Sequence, residues 1–182
     1  RLTHQDVYAC CGNDPMVYKH EGPTCMGVDV GAVLHVVIAE RTTRNSLKVI
    51  KLARVDSFRD LHDIARDFGV KSAVIDLFPE KRKVVDFQKT ENFSWFGCNY
   101  VEKRSGNIVW DERYKIIKGN RTDICNATHS LVSDPGRLIL PRRNSEIEIF
   151  VKEVCGIAKV LDENTDTGLR MYRYKKVAPT DH

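Results

Sequence analysis

No apolar run in this chain approaches the ~20 residues that a membrane-crossing helix needs. The N-terminus, Arg1-Leu-Thr, has neither an initiator Met nor a signal-like apolar stretch, as expected of a processed chain or of a domain cut from a longer polypeptide. The six cysteines (Cys10, Cys11, Cys25, Cys98, Cys125, Cys155) form no CxxC pair and no regular spacing. That argues for a reduced, intracellular protein, and Cys10, Cys11, Cys25 and His20 fit no usual zinc module. No GxxxxGK[ST] occurs, so a P-loop nucleotide site is excluded. Internal repeats and low-complexity segments are absent too.

What remains is an ordinary globular balance. The chain has 182 residues, 42% hydrophobic and 30% charged, enough for one sizeable α/β core and short for two domains. Its net charge of +4 favours a polyanionic partner without demanding one.

Residues 1–23 hold Gly12, Asn13, Asp14, Pro15, Gly22 and Pro23, turn formers without sustained periodicity, and read as an arm or interdomain linker. Three strands are expected next, over residues 24–30, 33–40 and 47–55, with a hairpin turn at 42–46. Ser57 with Asp60 caps a helix whose stripe is Phe58, Leu61, Ile64, Ala65 and Phe68, and Gly69 stops it. A strand over 72–77 follows, then a short helix over 81–88 opened by Pro79. Residues 93–101 and 108–110 read as strands, 120–132 as a helix and 138–140 as a short strand. Ser145 and Glu148 form a capping box for a helix whose apolar stripe runs on to Leu161, and 169–177 is a last strand.

Two aspartates stand out. Asp29 sits mid-strand in Met26-Gly-Val-Asp-Val-Gly31, and Asp76 ends the apolar run Ala73-Val-Ile-Asp76. A carboxylate in a strand expected to be fully buried costs several kcal/mol unless it is satisfied. The strand–helix–strand crossover between them makes the flanking strands parallel. If it returns beside the first strand, both acids lie near the carboxyl ends, where open α/β sheets collect ligands. A divalent cation would then solve both charges at once. Each acid also has a structural reading: Asp29 as a cap of the turn at Gly31, Asp76 as the N-cap of the helix after Pro79.

Three antiparallel strands, a helix, then a parallel strand resembles the order of the ribonuclease H-like fold, an α/β fold with a mixed central sheet flanked by helices on both faces. That fold carries acids on its first strand, its fourth strand and its C-terminal helix, matched here by Asp29 in GVDVG, Asp76 in VIDLFPE and Asp181 in APTDH. The chain more closely resembles the nuclease domain of large terminase subunits, the DNA-packaging proteins of tailed phages. The likeness lies in the first-strand D-x-G, the Pro-Glu soon after Asp76, the late Asp181-His182 pair, and the basic stretch from Lys115 to Asp123. It implies a nuclease domain over residues 24–182 whose C-terminal helix is truncated and whose packaging ATPase is absent. The implied activity is a metal-dependent endonuclease cutting double-stranded DNA with two Mg²⁺ or Mn²⁺ ions. Asp29, Asp76 and Asp181 would be the catalytic metal ligands, and Lys115, Lys118 and Arg121 the DNA contacts. Asp181 has a second reading as a helix cap, with His182 or an acid beyond residue 182 facing the metal. The implied partners are double-stranded DNA, the terminase ATPase domain, the small subunit and the portal protein, in the host cell cytoplasm.

The chemistry agrees with these residue types. Phosphodiester hydrolysis needs a nucleophilic water and a stabilised leaving oxygen, which two divalent ions about 3.5–4 Å apart supply together. Hard cations want oxygen ligands. Gly27 and Gly31 leave room for a phosphate beside Asp29, and without metal the clustered carboxylates should repel and raise at least one pKa. The basic residues are scattered, so contacts to phosphates would be sequence-independent and salt-sensitive. Aromatic residues do not alternate with them in sequence, which argues against a single-strand stacking platform. Glu80, Asp86, Asp123 and Asp134 read as solvated or capping, His35 as a satisfied core histidine, and His62 and His129 as structural. Competing classes are a junction resolvase or integrase-type core, an actin or sugar-kinase-like ATP-binding domain, and a DNA-docking module without turnover. Against the kinase type, Ala32-Val33-Leu34 stands where that group places Ser, Thr or Gly for phosphate contact.

Overall fold

The structure, a computed structural model, describes residues 1–91, 94–102 and 106–177. A short helix α1 (His4–Tyr8) opens the chain, with a reciprocal cap in which the Asp6 N–H donates to the Thr3 hydroxyl and the Thr3 N–H to the Asp6 carboxylate. Strands β1 (Thr24–Val30), β2 (Leu34–Thr43) and β3 (Ser46–Val55) form an antiparallel meander. Helix α2 (Phe58–Asp67) then crosses over, and β4 (Val70–Asp76) returns parallel beside β1. After α3 (Lys81–Thr90), β5 (Ser94–Tyr100) lies parallel to β4. Strands β6 (Val109–Asp111) and β7 (Ile116–Gly119) make a hairpin whose second arm runs parallel to β5. Helix α4 (Arg121–Ser133) leads to β8 (Leu138–Ile139) on the far edge beside β3. Helix α5 (Ser145–Cys155) precedes β9 (Ile157–Glu163) and β10 (Arg170–Lys176), which pair as a separate two-stranded sheet.

The central sheet has eight strands in the order β6-β7-β5-β4-β1-β2-β3-β8. This mixed α/β architecture, a mixed sheet flanked by helices, is compatible with a ribonuclease H-like fold. Strand alternation divides its residues between two faces. Met26, Val28, Val30, Ile75 and Trp95 bury against Leu61, Ala65 and Phe68 of the α2 segment and Val84 and Phe87 of α3. On the other face Ala39, Val49 and Leu52 pack with Val7, Val132, Ile147 and Val151. Full burial of each such Leu, Ile or Phe side chain contributes roughly 1.5–3 kcal/mol. Among the described residues, this second helical cover lies over the β2–β3 half. Gly27 and Asp29 of β1 and Ser72 of β4, on the same face, stay exposed.

The crossover that brings β4 beside β1 turns on two glycines. Gly69 follows α2 with φ +57°, and Gly22 opposite has φ +83°, conformations that a side chain disfavours. A Cβ on Gly69 would collide with the Glu21 carbonyl, while the Thr24 N–H donates to the Gly69 carbonyl at 3.2 Å.

Several expected elements are redrawn. Helix α5 ends at Cys155, with Gly156 as its C-cap, and does not run on to Leu161. The stripe Ile157, Ala158 and Leu161 suits a helix, but seven cross-strand pairs with β10 outcompete it. The N-cap of α5 is Asn144, whose side chain accepts from the Ile147 N–H, in place of the Ser145–Glu148 box. Strand β7 and helix α1 carry no readable period in their four and five residues. Residues 1–23 pack on the domain: Leu2 and Val7 are buried, and the Val17 N–H donates to the Ile50 carbonyl at 3.2 Å.

Candidate active site

The register of β1 on β4 ends at Val28↔Ile75, so Asp29 and Asp76 occupy the next step of the same parallel ladder. Alternation sends both side chains to one face: Val28, Val30 and Ile75 point into the α2–α3 core, and the aspartates point away from it. Their carboxyl groups lie within hydrogen-bonding reach of each other. Asp29 is exposed, contrary to the burial expected from its apolar strand, because the second helical cover does not extend over it. Asp76 is half-buried, and its pKa is pushed up to about 7. Burial is the largest cause, followed by the hydrogen bond and the negative charge of Asp29. The Arg121 guanidinium and the Val30 N–H pull the other way. Asp76 does not cap the next helix, since the N-cap of α3 is Glu80.

Residues on β5 and α4 complete the surroundings. Cys98 is the in-register partner of Asp76, and its thiol is pushed up to about 11 by burial and by that carboxylate. Two residues on, Tyr100 leaves 43% of its surface exposed, yet its hydroxyl pairs with Cys98. Its pKa rises because the hydroxyl is desolvated and faces the same negative charge. Neither residue is marked by the sequence alone; both follow once β5 is set parallel to β4, since alternate residues share a face. Arg121 opens α4, whose N-cap Asn120 accepts from the Asp123 N–H at 3.0 Å. Among the described residues, a Cβ built on Gly27 meets nothing within 4 Å.

The other sequence candidates fall as follows. Asp181 and His182 lie outside the described residues. Among the described residues, no three His, Cys, Asp or Glu side chains gather at metal-binding distance, so Asp29 and Asp76 stand as a pair. Lys115 shares the site's face, its ammonium 5.1 Å from the Phe96 ring centroid and 2.8 Å from Glu112. Lys118 alternates with the buried Ile117 and projects to the opposite face. His35 is no core histidine: opposite Asp29 on β2, its side chain is 34% exposed and its Nδ1 lies 3.3 Å from Glu153. His62 holds Glu91 at 2.6 Å, and His129 stacks edge-on with Tyr174. Glu80, Asp86 and Asp134 pair with Lys83, Lys89 and Arg137, and Asp123 accepts from the Gly106 N–H.

A solved structure, the large terminase from the thermophilic bacteriophage D6E, aligns with 94% of this chain at a TM-score of 0.53. The fold is terminase-like. Identity is 11%, so the likeness is one of fold, and the chain spans 39% of that protein's length. No family model matches the chain, and no curated protein does. In this terminase-like fold the aspartate pair sits at the carboxyl ends of two adjacent central strands, the usual place for ligands of open α/β sheets. No helix of the described residues is long and apolar enough to cross a membrane.

Proposed function

We propose that this chain is the metal-dependent endonuclease domain of a viral DNA-packaging terminase, hydrolysing double-stranded DNA with two divalent ions, Mg²⁺ or Mn²⁺. The observation that carries this reading is the Asp29–Asp76 pair, two carboxylates in contact on one open sheet face within a terminase-like fold. A pair that holds a proton between like charges offers the same oxygens to a hard cation in its place. When bound, the ions supply charge neutralisation at the phosphate and activation of water.

The residues divide the work. Asp29, exposed beside the side-chain-free Gly27, faces the approaching backbone and would help hold the ions. Asp76 would be a second ligand from its half-buried position, and Asp181, or His182 in its stead, would be the third. Arg121 meets a phosphate next to Asp76 and favours the ionised form of that carboxylate against burial and the Asp29 charge. Lys115 contacts a neighbouring phosphate on the same face, and Lys118 meets DNA only beyond the sheet edge. These are backbone contacts and carry no base information, so cutting is sequence-independent and salt-sensitive. In a packaging machine the domain works with an ATPase domain, a small subunit and a portal, in the host cytoplasm.

The test is nicking of supercoiled plasmid in Mn²⁺ or Mg²⁺. Asp29→Asn and Asp76→Asn should each lower the rate on the order of a hundredfold or more while leaving the fold intact. Undiminished cutting by either folded variant ends the proposal.

A further inference from the structure

The row of residues containing Asp76 does not stop at the acids. Asp76 is in register with Cys98 on β5, Cys98 with Ile117 on β7, and Ile117 with Trp110 on β6. In-register partners point to the same side, so Trp110 stands on the face that carries the aspartates, three strands away. At about 4.8 Å per strand it lies ~14 Å from Asp76. That is about four base steps of a stacked strand at 3.4 Å each, and fewer if the strand is extended.

Trp110 is 52% exposed, although it packs edge-on against Phe96 with ring centroids 4.9 Å apart. The Lys115 ammonium lies over the other partner in that contact, 5.1 Å from the Phe96 centroid. In the turn between β6 and β7, the Arg113 guanidinium lies 5.4 Å from the ring of Tyr114, which is 63% exposed. Folding therefore interleaves aromatic and cationic groups that are not interleaved along the sequence. It places them at the β6–β7 edge of the sheet, on the same face as the aspartate pair and beyond the buried Cys98 and Ile117. An apolar protein partner would not need this mixture. A nucleic-acid strand with unstacked bases does, since bases take the rings and phosphates take the cations.

We propose that the β6–β7 hairpin binds an unpaired DNA segment flanking the cut, with a base stacked on Trp110 and its phosphates met by Lys115 and Arg113. The inference rests on the endonuclease reading and refines its substrate, from continuous duplex to duplex with a locally opened strand beside the scissile bond.

The experiment uses binding, so that it is read apart from cleavage. Asp29→Asn protein, with Trp110 intact, is titrated in Ca²⁺ with a continuous duplex, the same duplex carrying a short central unpaired patch, and oligothymidylate. Complex formation is followed by anisotropy of labelled DNA and by Trp110 emission against the buried Trp95. The patched duplex and oligothymidylate should quench Trp110 and bind more tightly than continuous duplex. Trp110→Ala should remove about tenfold of that preference and leave continuous duplex unaffected, and Trp110→Phe should keep most of it. Equal binding of all three DNAs overturns the proposal. So does an equal loss on all three in Trp110→Ala, or Trp110 emission that no DNA changes, the last marking this face as a protein interface. Loss of nicking activity with the binding preference intact leaves the stacking site standing and removes only the nuclease; nicking with no preference does the reverse.

Discussion

Replacing Asp76 with Asn should make the metal-free protein more stable at alkaline pH while abolishing its proposed chemistry. Asp76 and Asp29 are like charges in contact, and the folded state raises the Asp76 pKa from its ordinary value near 3.8 to about 7. A carboxyl group whose folded pKa lies above its unfolded one keeps a proton that the unfolded chain has lost. Stability therefore falls as pH climbs from about 4 through about 7. Two unit charges about 4 Å apart repel by ~1 kcal/mol in bulk water and ~4 kcal/mol near a protein surface. Because Asp29 is exposed and Arg121 lies close, the lower part of that range applies, about 1–2 kcal/mol. For a chain of this length that is a rise in Tm of roughly 2–8 °C. The amide keeps an acceptor for the Val30 N–H and gains a donor for Asp29, so no polar group is stranded. Thermal unfolding in EDTA at pH 5 and pH 8.5 reads the effect: near equality at the lower pH, and the variant ahead at the higher. Mn²⁺ should then raise the wild type at pH 8.5 and leave the variant unmoved. A variant less stable than wild type at pH 8.5, or a gap that does not change with pH, would refute the reasoning.

Gly69→Ala should lower stability by at least about 1–3 kcal/mol, because φ is +57° there and the new Cβ meets the Glu21 carbonyl. Urea unfolding checks it, and an unchanged midpoint would show that the Gly22–Gly69 turn relaxes without cost. Arg121→Gln should move the Asp76 pKa still higher, since its guanidinium favours the charged carboxylate. A carboxyl-carbon NMR titration in the absence of metal reads this directly, and an unchanged or lowered value would place Arg121 outside the site.

Sequence made the aspartate pairing legible because everything between the two acids is strongly patterned. The stripe Phe58, Leu61, Ile64, Ala65 and Phe68 gives α2 an unambiguous buried side, and Gly69 ends it. Such a crossover makes β4 parallel to β1, and the structure seats it beside that strand. The exposure of Asp29 was not legible, since the apolar neighbours Val28 and Val30 report only on the α2–α3 face of β1. What covers the opposite face depends on α1, α4 and α5, whose reach over the sheet no local pattern encodes. The same limit hid the neighbours of Asp76. Cys98, Ile117 and Trp110 come from three separate strands, and only their register aligns them. Strand β9 was lost to a genuine conflict, a helical stripe overridden by pairing with a strand that follows it in the chain.

Strand β1 answers to two masters on alternate residues. Met26, Val28 and Val30 hold the molecule together, while Gly27 and Asp29 between them lie on the exposed side, where Asp29 meets Asp76. A single-codon change at Gly27 or Asp29 would therefore alter what the open face can bind and leave the buried letters of the same short word as they are.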